Sequence, residues 1–225
     1  MQKNWSNVDD GEFLPPLKRR ESFANYLENA KLLITIVLLK DPHHCHHAEQ
    51  VQALSVAIGQ QMHLSERQLS ELSYAALLHD AGKAFLPASL LGTTQPLSRE
   101  QWNLIRLHPV LAYELLYLFA PSIADAILHH HENYDGTGYP DGLSGDAIPA
   151  FSRIIRVADS VSAAISERSY KKPKSLDQII SELHDQAGTI YDPVVVQAFD
   201  TLRERAQREH KPFPQNTFTP SQAFL

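Results

Sequence analysis

Cysteine occurs once in the chain, as Cys45, so no disulfide framework is available, and a reducing, cytoplasmic setting is the default expectation. Long hydrophobic runs are missing too. The run Leu32 to Leu39 is far too short to span a bilayer. The first residues are polar and acidic and lack the apolar core of a signal peptide. Positive charge is not in excess: 20 Lys and Arg stand against 26 Asp and Glu, a formal charge of -6. That argues against a nucleic-acid polymer or a membrane surface as partner. No stretch reads as a strand, and no internal repeat is visible. What the chain does have is histidine, 12 in 225 residues, most of them between residues 43 and 131. Its 43% hydrophobic content suffices for one sizeable core.

Residues 1–16 are polar, end in Pro15-Pro16, and read as a flexible arm. Residues 17–40 keep helical spacing through Phe23, Tyr26, Leu27, Ala30, Leu33, Ile34, Val37 and Leu38. After Asp41-Pro42 a helix is expected from His43 to Gln61, with Val51, Leu54 and Ile58 on one stripe. Ser65 suits the N-cap of a third helix that reaches His79-Asp80. Pro87 starts a short turn. Ser98 and Gln101 fit a capping box that opens one long helix to Phe119. Pro121 opens another, which ends at the histidines 129–131. Residues 132–150 form the one long irregular stretch, with Gly136, Gly138, Gly142, Gly145, Pro140 and Pro149. So long a loop inside a compact domain is usually functional. Helices resume over 151–168, 175–186 and 193–208, and 209–225 is a polar tail. The expected fold is all-α.

The chemistry gathers around His79-Asp80-Ala81-Gly82-Lys83, which closes the apolar run Leu72 to Leu78. A buried carboxylate without a partner costs several kcal/mol, and a divalent cation is one good partner for it. Helix geometry sorts the run His43-His44-Cys45-His46-His47. His43 and His47, four apart, share a face; His44 and Cys45 point elsewhere; His46 pairs with Gln50. His108 shares a stripe with Leu104, Ile105, Leu111 and Leu115 that should face the core. His130 and His131 sit where a helix meets the irregular loop. Asp159 follows Ile154, Ile155, Val157 and Ala158 and looks buried. Each of these residues has an ordinary explanation as a hydrogen-bonded core group or a salt bridge. Together, five His and two Asp make a ligand set suited to two borderline metal ions.

The block 79–83, then His130-His131-Glu132 and Asp135-Gly136-Thr137-Gly138-Tyr139-Pro140, resembles the HD-GYP class of the HD phosphohydrolase superfamily. The resemblance covers roughly residues 24–200 and makes 41–208 the catalytic domain. It implies a helical bundle around a multinuclear metal site. The implied ligands are His47, His79, Asp80, His108, His130, His131 and Asp159, with Asp80 bridging two ions, iron or manganese. Lys83 would meet the substrate phosphate, and Tyr139 would hold the nucleotide. Arg168 and Lys171 would bind phosphate. The implied reaction is hydrolysis of cyclic di-GMP to linear pGpG or on to GMP, by a hydroxide held between the ions. A preference for cyclic GMP-AMP, or a non-catalytic sensor of the dinucleotide, is the alternative.

Four positions depart from the family pattern. His43 stands where a Glu often holds a third ion, so it is a candidate extra ligand in an otherwise two-ion site. Ser162 replaces a frequent Asp, Gln50 a frequent Arg, and Ala112 a frequent Gly. None removes a ligand, so an active enzyme is expected. Residues 17–40 could also pair two copies into a dimer, and a signalling protein is a further candidate partner.

Overall fold

The computed structural model describes residues 44–91, 93, 95–118, 120–165 and 174–210. The expected arm, the helix over 17–40 and the polar tail from 211 onward lie outside the described residues, as do His43, Arg168 and Lys171. The described chain is a set of helices. They are α1 (His44–Gln61), α2 (Glu66–Leu78), α3 (Ala88–Leu91), α4 (Arg99–Ile105), α5 (His108–Leu116), α6 (Pro121–Leu128), α7 (Ala150–Ile165), α8 (Leu176–Asp185) and α9 (Pro193–Arg208). Short 3-10 turns cover Ala81–Phe85 and Gly145–Ala147. Among the described residues there is no strand, and no helix is long and apolar enough to cross a membrane.

The helix starts follow from local chemistry. Ser65, Ser98 and Ser175 each accept the N–H three residues on, while Gln68, Gln101 and Gln178 reach back to the N-cap backbone. These reciprocal pairs satisfy amides that the helix leaves open. Asp192 caps α9 through Val194 N, and Pro193 fills the first helical position. Side chains at helical spacing then build the core. Val51, Leu54 and Ile58 of α1 meet Leu72 and Ala76 of α2, Ile154, Ile155 and Val161 of α7, and Phe199 of α9 in one cluster. Arg153 of α7 donates to Asp192 at 2.7 Å and to Asp146 at 3.0 Å, tying the end of the long loop to the cap of α9.

The helix expected from Ser98 to Phe119 is two helices, and the reason is Pro109. In a continuous helix the Ile105 carbonyl would accept the N–H of residue 109, and proline has none. The His108 ring takes that carbonyl instead: Nδ1–H donates to Ile105 O at 2.7 Å. The chain turns at Arg106 and Leu107. The expected stripe breaks with it, leaving Leu104 45% exposed while His108 is 1% exposed. The long loop over 132–150 is irregular as expected.

Two glycines permit close approaches that set the site. A Cβ on Gly82 would fall 1.9 Å from His108 O, so the 81–85 turn can press against α5 only without a side chain. A Cβ on Gly138 would fall 2.2 Å from Asn133 N, inside the loop itself. Gly82→Ala should therefore cost at least about 1–3 kcal/mol, the range for overpacking. Urea unfolding of the metal-free protein checks this, and an unchanged midpoint would contradict the packing described.

Candidate metal centre

Five buried or half-buried histidines and two aspartates converge from α1, the end of α2, the start of α5, the end of α6, and α7. Asp80 is at the middle, 3% exposed. Its two oxygens face different neighbours. Oδ1 lies 3.1 Å from His108 Nε2, while Oδ2 lies 3.3 Å from His79 Nε2 and 2.6 Å from Lys83 Nζ. Two groups of candidate ligands result, and both include Asp80. One is Asp80, His108, His130 and His131; the other is His47, His79 and Asp80. Within each group the donor atoms lie within 4.8 Å of one another. Asp159 adjoins the second group, 3.0 Å from His47 Nε2 and 4.0 Å from His79 Nε2.

The backbone orients three of the rings. His79, His108 and His130 each place Nδ1 on the carbonyl three residues earlier: Ala76 at 2.7 Å, Ile105 at 2.7 Å and Ile127 at 2.6 Å. A carbonyl only accepts, so each Nδ1 carries a proton and each Nε2 turns its lone pair to the centre. His108 Nε2 and His130 Nε2 then sit 3.4 Å apart, two acceptors face to face. A proton or a cation must lie between such atoms. Burial, with the charges of His79 and His108, holds His130 well below the usual histidine pKa; burial and the charges of His130 and His108 do the same for His131. These rings stay neutral at pH 7, the form that ligates metal. Burial opposes protonation of His79, but the charge and hydrogen bond of Asp80 and the charge of Asp159 outweigh it and raise its pKa. Burial alone would raise Asp159; the hydrogen bond and charge of His47, with His79 and His131, hold it well below the carboxylate range. The donor set mixes imidazole with two carboxylates, which fits borderline divalent metals.

Tyr139 closes one side. Its ring stacks on His131 at 4.9 Å between centroids, and the Arg106 guanidinium lies 5.2 Å from its centroid. Burial, and next the charge of Asp80, raise the pKa of its phenol. The loop that carries it is clamped. Glu132 Oε1 accepts the N–H groups of Asp141 at 2.8 Å and Gly142 at 3.0 Å. His129 bridges Asp125 O at 3.0 Å and the Asp141 carboxylate at 2.9 Å.

Of the residues expected at the site, His47, His79, Asp80, Lys83, His108, His130, His131, Tyr139 and Asp159 come together. His43, Arg168 and Lys171 lie outside the described residues. His46 pairs with Gln50 at 3.0 Å, as its spacing implied. Sequence reasoning missed the clamping role of Glu132 and His129 and the placement of Arg106. Glu132 had a signal, a charged residue beside two histidines at the mouth of a glycine loop. Arg106 had none, because its position depends on the break before Pro109.

Comparison with known proteins bears on the family and the fold. An HD domain family model matches residues 31–195. The cyclic di-GMP phosphodiesterase response regulator RpfG of Xanthomonas campestris is 40% identical over 165 residues, covering 72% of this chain and 43% of the relative. A cyclic di-GMP phosphodiesterase of Thermotoga maritima is 34% identical over 85% of this chain and 54% of its own length. The 3'3'-cGAMP-specific phosphodiesterase 3 of Vibrio cholerae is 33% identical over 70% of this chain and 35% of its own length. The chain thus spans about half the length, or less, of these curated relatives. Among solved structures, a cyclic GMP-AMP specific phosphodiesterase of V. cholerae superposes with a TM-score of 0.59 at 21% identity, covering 79% of this chain and 49% of that one. The HD domain of the Listeria monocytogenes phosphodiesterase PgpH gives a TM-score of 0.54 at 19% identity, covering 79% and 98%. At those identities the likeness bears on the fold.

The Glu132 clamp generates its own expectation. Hydrogen bonds to a charged group contribute about 1.5–3 kcal/mol. Glu132→Ala should speed hydrogen exchange at the Asp141 and Gly142 amides by at least about tenfold. Mass-spectrometric exchange measures it, and unchanged protection would remove the clamp.

Proposed function

The chain belongs to the HD domain family, and from that premise we propose that it is a metal-dependent phosphodiesterase that hydrolyses cyclic di-GMP to linear pGpG. The observation that carries this reading is Asp80, whose two oxygens serve two separate groups of imidazoles. In this reading His108, His130, His131 and Asp80 hold one divalent ion, iron or manganese. His47, His79, Asp159 and the other oxygen of Asp80 hold a second. Bound there, such ions supply Lewis acidity, which activates water and offsets phosphate charge.

The chain's own groups do the rest. Neutral His130 and His131 bring ligation without cancelling the positive field that an anionic diester needs. That explains how a protein of net charge -6 accepts an anion. Lys83 bonds Asp80 and is about a quarter exposed (27%), which supports its ammonium as the group that meets a phosphate entering over Asp80. Tyr139, backed by His131, offers a flat face for a base. Arg168 and Lys171 are the further phosphate contacts of this reading, and a third ion at His43 is its less favoured extension. The setting is a reducing cytoplasm.

A second substrate has support as well, since relatives in V. cholerae are named 3'3'-cGAMP-specific. The two cyclic dinucleotides differ in one base edge, so Tyr139 alone does not choose between them. The experiment purifies the protein without oxygen and measures its metal by mass spectrometry. It then follows both dinucleotides by liquid chromatography. Linear pGpG is the expected product, with faster turnover of cyclic di-GMP than of cyclic GMP-AMP. Asp80→Ala should lose both the metal and turnover, because it removes the ligand common to both groups. Tight binding of intact cyclic di-GMP by metal-loaded protein, with no product, would make the chain a sensor and end the enzyme assignment.

A further inference from the structure

His79, His108 and His130 take their orientation from backbone carbonyls, which no substitution of a partner side chain can remove. His47 does not follow that pattern. Its Nδ1 lies 2.9 Å from Ser162 Oγ on α7, across the core. Ser162 Oγ lies 2.9 Å from Gln50 Oε1, and Gln50 Nε2 lies 3.0 Å from His46 Nε2. With the Gln50 amide oriented this way, Ser162 Oγ donates to Gln50 Oε1. Ser162 must then accept from His47, so His47 Nδ1 carries a proton and Nε2 is the atom turned toward Asp159. Gln50 Nε2 reaches His46 Nε2 from the amide's other end.

We infer that Ser162 and Gln50 are positioning residues for the His47 end of the metal centre, a neutral relay where His79, His108 and His130 use backbone. This inference rests on the two-ion reading above and adds that the two ion positions are unequally supported. In the group of Asp80, His108, His130 and His131, main chain pins His108 and His130. In the other group main chain pins His79, while His47 is held by a buried serine and a glutamine one helical turn along α1. A hydroxyl is a weaker acceptor from imidazole than a carboxylate, so it leaves His47 a less basic ligand. The Ser162 and Gln50 departures from the family pattern are thus one joint feature: each supplies the other's partner.

The test uses the full chain, stripped of metal and titrated with Mn2+ by calorimetry, with bound metal counted by mass spectrometry. Wild-type protein should take up two ions with unequal affinity. Ser162→Ala should weaken one of them by about 10- to 100-fold, the usual effect of losing a ligand's supporting partner, and leave the other unchanged. Ser162→Asp should restore the affinity or exceed it. A second pair of variants leaves Ser162 in place. Gln50→Leu frees the serine proton to turn toward His47 and should weaken the same ion, whereas Gln50→Glu keeps the acceptor and should not. A purely structural role would weaken both ions together or neither. If both ions bind the Ser162→Ala and Gln50→Leu proteins as they bind wild type, or if both weaken equally, the inference is overturned. A wild-type protein that takes up fewer than two ions overturns the two-ion reading itself, a result visible before any variant is compared.

Discussion

The organisation of this molecule depends on a crowding of hydrogen-bond acceptors around one carboxylate. Three imidazoles spend their Nδ1 protons on backbone carbonyls three residues earlier. Their Nε2 atoms then face one another, Asp80 and, from His79, Asp159. In water such a cluster would disperse. Here the interior of the bundle forbids it, and desolvation keeps His130 and His131 from relieving the strain by protonation. The core does not stabilise this arrangement; it enforces it, and a cation is what makes the arrangement favourable.

Enforcement needs close contact, and close contact needs small groups. Gly82 lets the turn after Asp80 lie on the α5 backbone at His108, which sets the distance between the ligands that those two residues supply. Pro109 plays the complementary part. By failing to donate, it releases the Ile105 carbonyl to hold the His108 ring. Glu132 and His129 then fix the loop, so that Tyr139 rests on His131 and not in solvent. The ligand set, the turn and the loop are therefore one mechanical unit with five helices behind it.

Much of this was legible from residue order. Helical spacing located α1, α2, α6, α7, α8 and α9 to within a few residues, because each has an apolar stripe and a readable start such as Ser65, Pro121 or Pro193. The ligand types were legible because buried His and Asp are rare without a partner. The break in the helix after Ser98 was not legible. Periodicity runs through it, and only the competition for the Ile105 carbonyl reveals that the helix stops. Leu104 misleads for the same reason, since it belongs to a stripe that the backbone no longer follows.

By itself the sequence determined an all-helical domain, a set of seven metal-type side chains, and a glycine-rich loop that carries an aromatic residue near them. Those are properties of local spacing and residue chemistry, which neighbours in the chain control. Only the tertiary structure decided that the two oxygens of Asp80 serve different histidines, that His108 faces His130, and that Ser162 answers Gln50 across 112 positions of chain. Pairings over such separations depend on how helices pack, and packing is settled by the whole core at once.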